Sequence, residues 1–194
     1  MVFDPRFLFP LFTTGSKPLD LTIVYDAAST PLSDQKDGEV RVTKKGRIVP
    51  GSEGGEMWSL PEGHAWTWVS HKLNRGIVHG KMMVLRRRDS MRVVVASSNL
   101  NDEWRLSREV LWVQDFPLLE DPKMDPSGSF YEDLNEICEN LKVPEMTIWR
   151  LLRGVDFSGA RANLIASFPG THFYPSKYVS GHFKLRMVWL RDST

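Results

Sequence analysis

Apolar positions in the first part of the chain come in short β-branched runs or at every second residue, and towards the C-terminus they recur at every third or fourth. Leu21-Thr22-Ile23-Val24-Tyr25, behind the breaker cluster Gly15 to Pro18, predicts a buried strand. Residues 27–55 are rich in Ser, Asp, Lys and Gly, with weak strand signals only around Val40 to Val49, and are expected to form a long surface excursion. Ala65 to Val69 predicts a second strand. Val78 to Leu85 and Met91 to Ser98 predict a hairpin, and Leu106 to Val113 one more strand before a loop at 117–127 dense in Pro and Asp.

The period then changes. Phe130, Leu134, Ile137 and Leu141 lie at helical spacing behind Ser129, the expected N-cap. A second helix is expected over 145–153, opened by Pro144 and closed by Gly154. Asn163 to Phe168 reads as a strand, and Ser180 as the cap of a last helix running from His182 towards Arg191. Strands first, then alternating helix and strand, predict a layered α/β domain. There is no internal repeat.

With 194 residues, 41% of them hydrophobic, the chain can bury a substantial core, as one domain or as one lobe of a larger fold. A net charge of +1 carries no global polyanion signature, so nucleic-acid contacts must come from local patches such as Arg86-Arg87-Arg88, which fits a solvated hairpin tip equally well. The single cysteine, Cys138, excludes an internal disulfide and fits a reducing compartment. The apolar start MVFDPRFLFPLFTTG is interrupted by Asp4, Pro5 and Pro10, unlike a signal peptide. No stretch approaches the roughly 18 to 20 apolar residues of a membrane span. A soluble, intracellular protein is expected, with no metal or cofactor called for.

The chemistry concentrates in IVHGKMMVLRRRDSMRVVVASSN, residues 77–99. Along the first strand, alternation puts His79, Lys81, Met83 and Leu85 on one side. The nearly continuous valines of the second strand suggest cover on both faces. An odd-length turn centred on Asp89 would set Asn99 directly across from His79, whereas a two-residue turn would send it to the opposite face. Imidazole, ammonium and carboxamide together suit metal-free phosphodiester chemistry: a nucleophile for phosphorus, with cationic and amide donors for its oxygens. A lone histidine on an apolar strand is more often a hydrogen-bonded core residue. Lysine on a buried face is harder to explain structurally, because it is rarely buried unless paired.

The stretch HGKMMVLRRRDSMRVVVASSNLNDEW, from His79 to Trp104, resembles the N-terminal half of the tyrosyl-DNA phosphodiesterase family of the phospholipase D superfamily. Ile165 to Gly170 and Gly181-His182-Phe183-Lys184-Leu185 resemble that family's later segments, in the right order. The resemblance implies a phospholipase D-like layered domain, a mixed β-sheet flanked by helices, forming one lobe of a two-lobed fold over residues 1–194. Arg86 stands where the wider superfamily has an Asp, which the tyrosyl-DNA enzymes also lack. By the same resemblance His79 is the nucleophile that forms a phosphohistidine, Lys81 and Asn99 bind phosphate, and Ser98 and Ser167 belong to the substrate site. Arg75 occupies the place of an aromatic that stacks on a base in the animal enzymes, and would contact phosphate instead.

The implied substrate is a single- or double-stranded DNA 3′ end blocked by tyrosine or another adduct, the process DNA repair, the location the nucleus, with no membrane partner. The family uses two His-Lys-Asn sets, and His182-x-Lys184 is expected to be a decoy at a helix start. The second set would come from a missing C-terminal half, the favoured origin, or from a second copy in a homodimer. The remaining alternative is a non-catalytic module that binds DNA ends or phosphate. An isolated lobe is expected to expose apolar surface.

Overall fold

The computed structural model of the protein describes residues 20–26, 40–44, 65–71, 79–99, 109–168 and 181–192. The β-branched run near residue 21 forms strand β1 (Asp20–Asp26), and the weak signals near residue 40 form β2 (Val40–Lys44), inside the stretch expected as an excursion. Both pair with β3 (Ala65–His71): β1 in parallel, with Ile23 opposite Trp68, and β2 antiparallel, with Val40 opposite Val69. The resulting order β1-β3-β2 is a mixed sheet with β3 at its centre. Val69 is accordingly inaccessible to solvent and Ile23 buried.

A second sheet has the order β4 (Met82–Arg86), β5 (Ser90–Ala96), β6 (Leu111–Pro117). Arg87 N donates to Ser90 O and Ala96 N to Lys81 O, both at 2.8 Å. Both bonds fit one antiparallel register with only Arg88 and Asp89 in the turn, so the odd-length turn is not the one formed. On the other side of β5, Ser97 N bonds Val110 O, and Arg92 meets Asp115 in a bidentate pair at 2.6 and 2.7 Å. Burial alternates along β6, where Phe116 is inaccessible while Leu111, Val113 and Asp115 are exposed. Met91 and Val93 of β5 are likewise fully buried, but Val95 is 37% exposed, so the strand is not covered throughout on both faces.

The chain divides into two compact units, residues 1–82 with 95–112 and residues 83–94 with 113–194. The second unit has an aromatic centre. Phe116 lies 4.9 Å from Phe130 and 5.1 Å from Phe157 between ring centroids, with Leu134, Cys138, Ile148, Leu152 and Val155 buried in the same unit. Burial pushes the Cys138 thiol up to about 12, leaving it a packing residue without thiolate chemistry.

Helix α1 (Ser129–Asn140) buries Phe130, Leu134 and Cys138 at i, i+4 and i+8, together with Asp133; Ile137 is only half-buried, as is Leu141, the C-cap residue. Its N-cap is Gly128 rather than Ser129. Gly128 has φ +97, a conformation a side chain opposes, and its carbonyl accepts the first helical bond from Glu132 N. Helix α2 (Glu145–Leu152) follows Pro144. Arg86 Nη1 donates to Leu151 O and Arg153 O at its C-terminus, which takes this arginine out of the triplet as a free cation. Gly154 ends the turn at φ +65, where an added Cβ would lie 2.9 Å from Pro122 O.

Residues 163–168 alternate in exposure like a strand, but among the described residues they join no ladder. The period is there and a neighbouring edge is not. Ala166 O instead accepts from Gly181 N, the first residue of α3 (Gly181–Asp192). Lys184 of α3 reaches Asp133 of α1 at 2.5 Å. The described part of the chain is thus an α/β protein with three helices, none long and apolar enough to cross a membrane.

Candidate functional site

Lys81 is held at the entry to β4 by the bond from its carbonyl to Ala96 N. Its side chain turns inward and keeps only 8% exposure, while His79 is exposed. Lys81 Nζ lies 2.9 Å from His79 Nδ1, 2.9 Å from His79 Nε2 and 2.9 Å from His79 O. A point equidistant from both ring nitrogens at that range would collide with Cε1 if it lay in the ring plane. The ammonium therefore sits over the face of the imidazole, and the in-plane lone pair is not occupied by this contact.

Burial lowers the affinity of Lys81 for its proton, since the charged form loses hydration there. No carboxylate among the described residues pairs with it. Between the two residues, Gly80 is exposed, and an added Cβ would meet nothing within 4 Å. The histidine–lysine corner is open to an incoming group.

Because the turn has two residues, Ser98 rather than Asn99 continues the register opposite His79. The ladder ends at Ala96, however, and the chain bends at Ser97 and Ser98, so strand alternation does not reach Asn99. Asn99 is half-buried, and its Oδ1 is buried with no hydrogen-bond partner. Unpaired buried carbonyl oxygens are uncommon and costly. Ser98, expected as a substrate contact, donates its hydroxyl to Glu109 Oε1, and Ser97 Oγ donates to Glu109 Oε2 at 2.7 Å. Ser97 Oγ also accepts from Val110 N at 3.0 Å.

The first unit thus contains His79, Lys81, Ser98 and Asn99, and adds Glu109. Sequence reasoning passed over Glu109, whose only signal is the β5–β6 register that sets it across from Ser98. Arg75 lies outside the described residues. Ser167 is exposed in the second unit, its Oγ 3.3 Å from where a Cβ on Gly181 would stand. His182 is exposed, with its ring 4.1 Å from that of Phe183, and Lys184 is committed to Asp133.

A sequence model of the family described as tyrosyl-DNA phosphodiesterase matches residues 1–192. Tyrosyl-DNA phosphodiesterase 1 of Arabidopsis thaliana is 33% identical over 160 residues, covering 73% of this chain and 26% of that protein. The chain therefore spans about a quarter of the length of the curated relative it matches.

Proposed function

Since the chain belongs to the tyrosyl-DNA phosphodiesterase family, we propose that it carries the nucleophilic half-site of a phosphodiesterase that repairs DNA 3′ ends blocked by tyrosine or a similar adduct, on a phospholipase D-like lobe. The observation that carries this reading is Lys81, a buried ammonium with no carboxylate partner among the described residues, 2.9 Å from an exposed imidazole. A phosphate monoanion supplies the missing charge. Drawn to Lys81, it arrives beside the in-plane lone pair of His79.

The imidazole then forms a bond to phosphorus while the bond from phosphorus to the tyrosine oxygen breaks, giving a phosphohistidine and a phenolate that takes up a proton. Lys81 and the Asn99 carboxamide hold the non-bridging oxygens as charge builds on them. In this reading the positive charge at the site is the lysine's, with no metal required. Protonation of the leaving group and activation of water fall to a second His-Lys set, supplied by further polypeptide or by a second copy of the chain. Arg75 and Ser167 lie along the DNA path, and the site of action is the nucleus.

Incubation with a single strand carrying a 3′-phosphotyrosyl group tests this. A denaturant-stable protein–DNA adduct or released tyrosine is expected from the wild type and neither from His79→Ala. Equal adduct or release from the two proteins would refute it. DNA binding without either product would identify a non-catalytic end-binding module.

A further inference from the structure

Glu109 is the acidic group built into this half-site. Both of its carboxylate oxygens accept from serine hydroxyls, Oε2 from Ser97 and Oε1 from Ser98. An ionised carboxylate is acceptor-only, so two donors on its two oxygens match the charged form. The clasp also fixes where that charge stands. Lys81 is opposite Ala96, so Ser98 and His79, each two residues further on, lie at the same end of the hairpin. Glu109 is across from Ser98 on the far side, about two strand spacings from His79, or roughly 10 Å at the backbone. Its carboxylate reaches back towards Ser98 and so stands closer than that to whatever occupies the site.

We propose that Glu109 makes the half-site selective for phosphodiesters over phosphomonoesters, because a fixed negative charge beside the phosphate tolerates one charge there better than two. The inference rests on the phosphodiesterase reading and names the charge state that the site accepts. A 3′-phosphodiester carries one negative charge; a 3′-phosphomonoester, the form left after an adduct is removed, carries close to two at neutral pH. Lys81 alone would favour the second. With Glu109 at roughly 6 to 8 Å and an effective dielectric constant of about 20 to 40, the extra charge costs on the order of tenfold in affinity. The same term hastens release of a monoester product. Ser97 and Ser98 are positioning residues here: they hold the carboxylate and keep their donors away from the phosphate.

The test uses the full chain and three labelled single strands, ending in a 3′-hydroxyl, a 3′-phosphate and a 3′-methylphosphate, with binding followed by fluorescence anisotropy at constant salt. The wild type is expected to bind the methylphosphate end tighter than the hydroxyl end and about tenfold tighter than the phosphate end. Glu109→Gln, equal in size and uncharged, should bring the phosphate end level with or above the methylphosphate end, while Glu109→Asp keeps the wild-type order. A uniform loss at both phosphorylated ends in Glu109→Gln would make the residue purely a positioning one and overturn the proposal. The wild-type ratio stands without any variant: a phosphate end bound as tightly as the methylphosphate end overturns it as well. Failure to distinguish methylphosphate from hydroxyl would instead remove the phosphate site itself, and the proposed function with it.

Discussion

Replacing Lys184 by Met isolates the electrostatics of the second unit. Lys184 Nζ meets Asp133 Oδ1 at 2.5 Å, with the two side chains 18% and 7% exposed. Methionine keeps the length and apolar stem of lysine and removes the charge, leaving Asp133 buried on α1 without its cation. Removing one partner of a fully buried pair costs about 3–5 kcal/mol. The lysine here keeps some solvent, so roughly 2–4 kcal/mol is expected. Glu136, held above the usual carboxylate range first by burial, loses the counteracting field of the same lysine and adds to the cost.

In a chain of this size that loss corresponds to a fall of roughly 5 to 14 °C in the melting midpoint. Urea denaturation followed by tryptophan fluorescence at pH 7 measures it, repeated in 1 M NaCl, where an exposed pair would be screened and a buried one mostly not. The double variant Asp133→Leu with Lys184→Met removes both charges and should recover most of the stability, giving a coupling of about 2 kcal/mol or more. A loss below about 0.5 kcal/mol in the single variant, as at an ordinary surface ion pair, or its disappearance in high salt, would refute the buried-pair reasoning.

Gly154→Ala forces a Cβ to 2.9 Å from Pro122 O at φ +65 and should cost about 2 kcal/mol or more, read as a lower denaturation midpoint. Glu136 has its pKa raised in the fold by burial, so ionising it opposes folding: Glu136→Gln should be more stable than wild type at pH 7, with the gap closing as pH falls below the ordinary glutamate value, checked by melting at pH 4 and pH 7. Lys81 has its pKa lowered by burial, so its charged form also opposes folding: Lys81→Met should match or exceed wild-type stability at pH 7, with the difference shrinking as pH rises towards 10, while losing affinity for a 3′-phosphodiester end by roughly 10-fold or more.

The sequence carried the elements better than their connections. The apolar spacing behind residue 129 and the Pro144/Gly154 brackets located α1 and α2 to within a residue or two, because burial of one face sets both the pattern and the helix. The hairpin was legible, but its turn length was not: Arg88-Asp89 lacks the Gly or Asn that marks a two-residue turn, and neither residue takes positive φ. That one residue of register decides whether Ser98 or Asn99 follows across from His79. Residues 163–168 have a strand's alternation, which records one buried side and says nothing about a pairing edge. Asp133 was hidden because its partner lies 51 positions away, and Glu109 because its role exists only once β6 is laid against β5.

His79 and Lys81 are the part of the site that needs no register to be found, and their arrangement explains why. They are two residues apart on one chain, so an extended backbone puts both side chains on one side whatever the neighbouring strand does. The pairing then determines what surrounds them. Lys81 is buried against neutral acceptors, the imidazole and the His79 carbonyl, and burial works against its charge. A core built for stability would place a carboxylate there or an aliphatic residue. The acid present at this end of the sheet, Glu109, is occupied by Ser97 and Ser98. Keeping the acid engaged with hydroxyls leaves the lysine's charge for an anion from outside, and keeping it nearby limits how negative that anion can be.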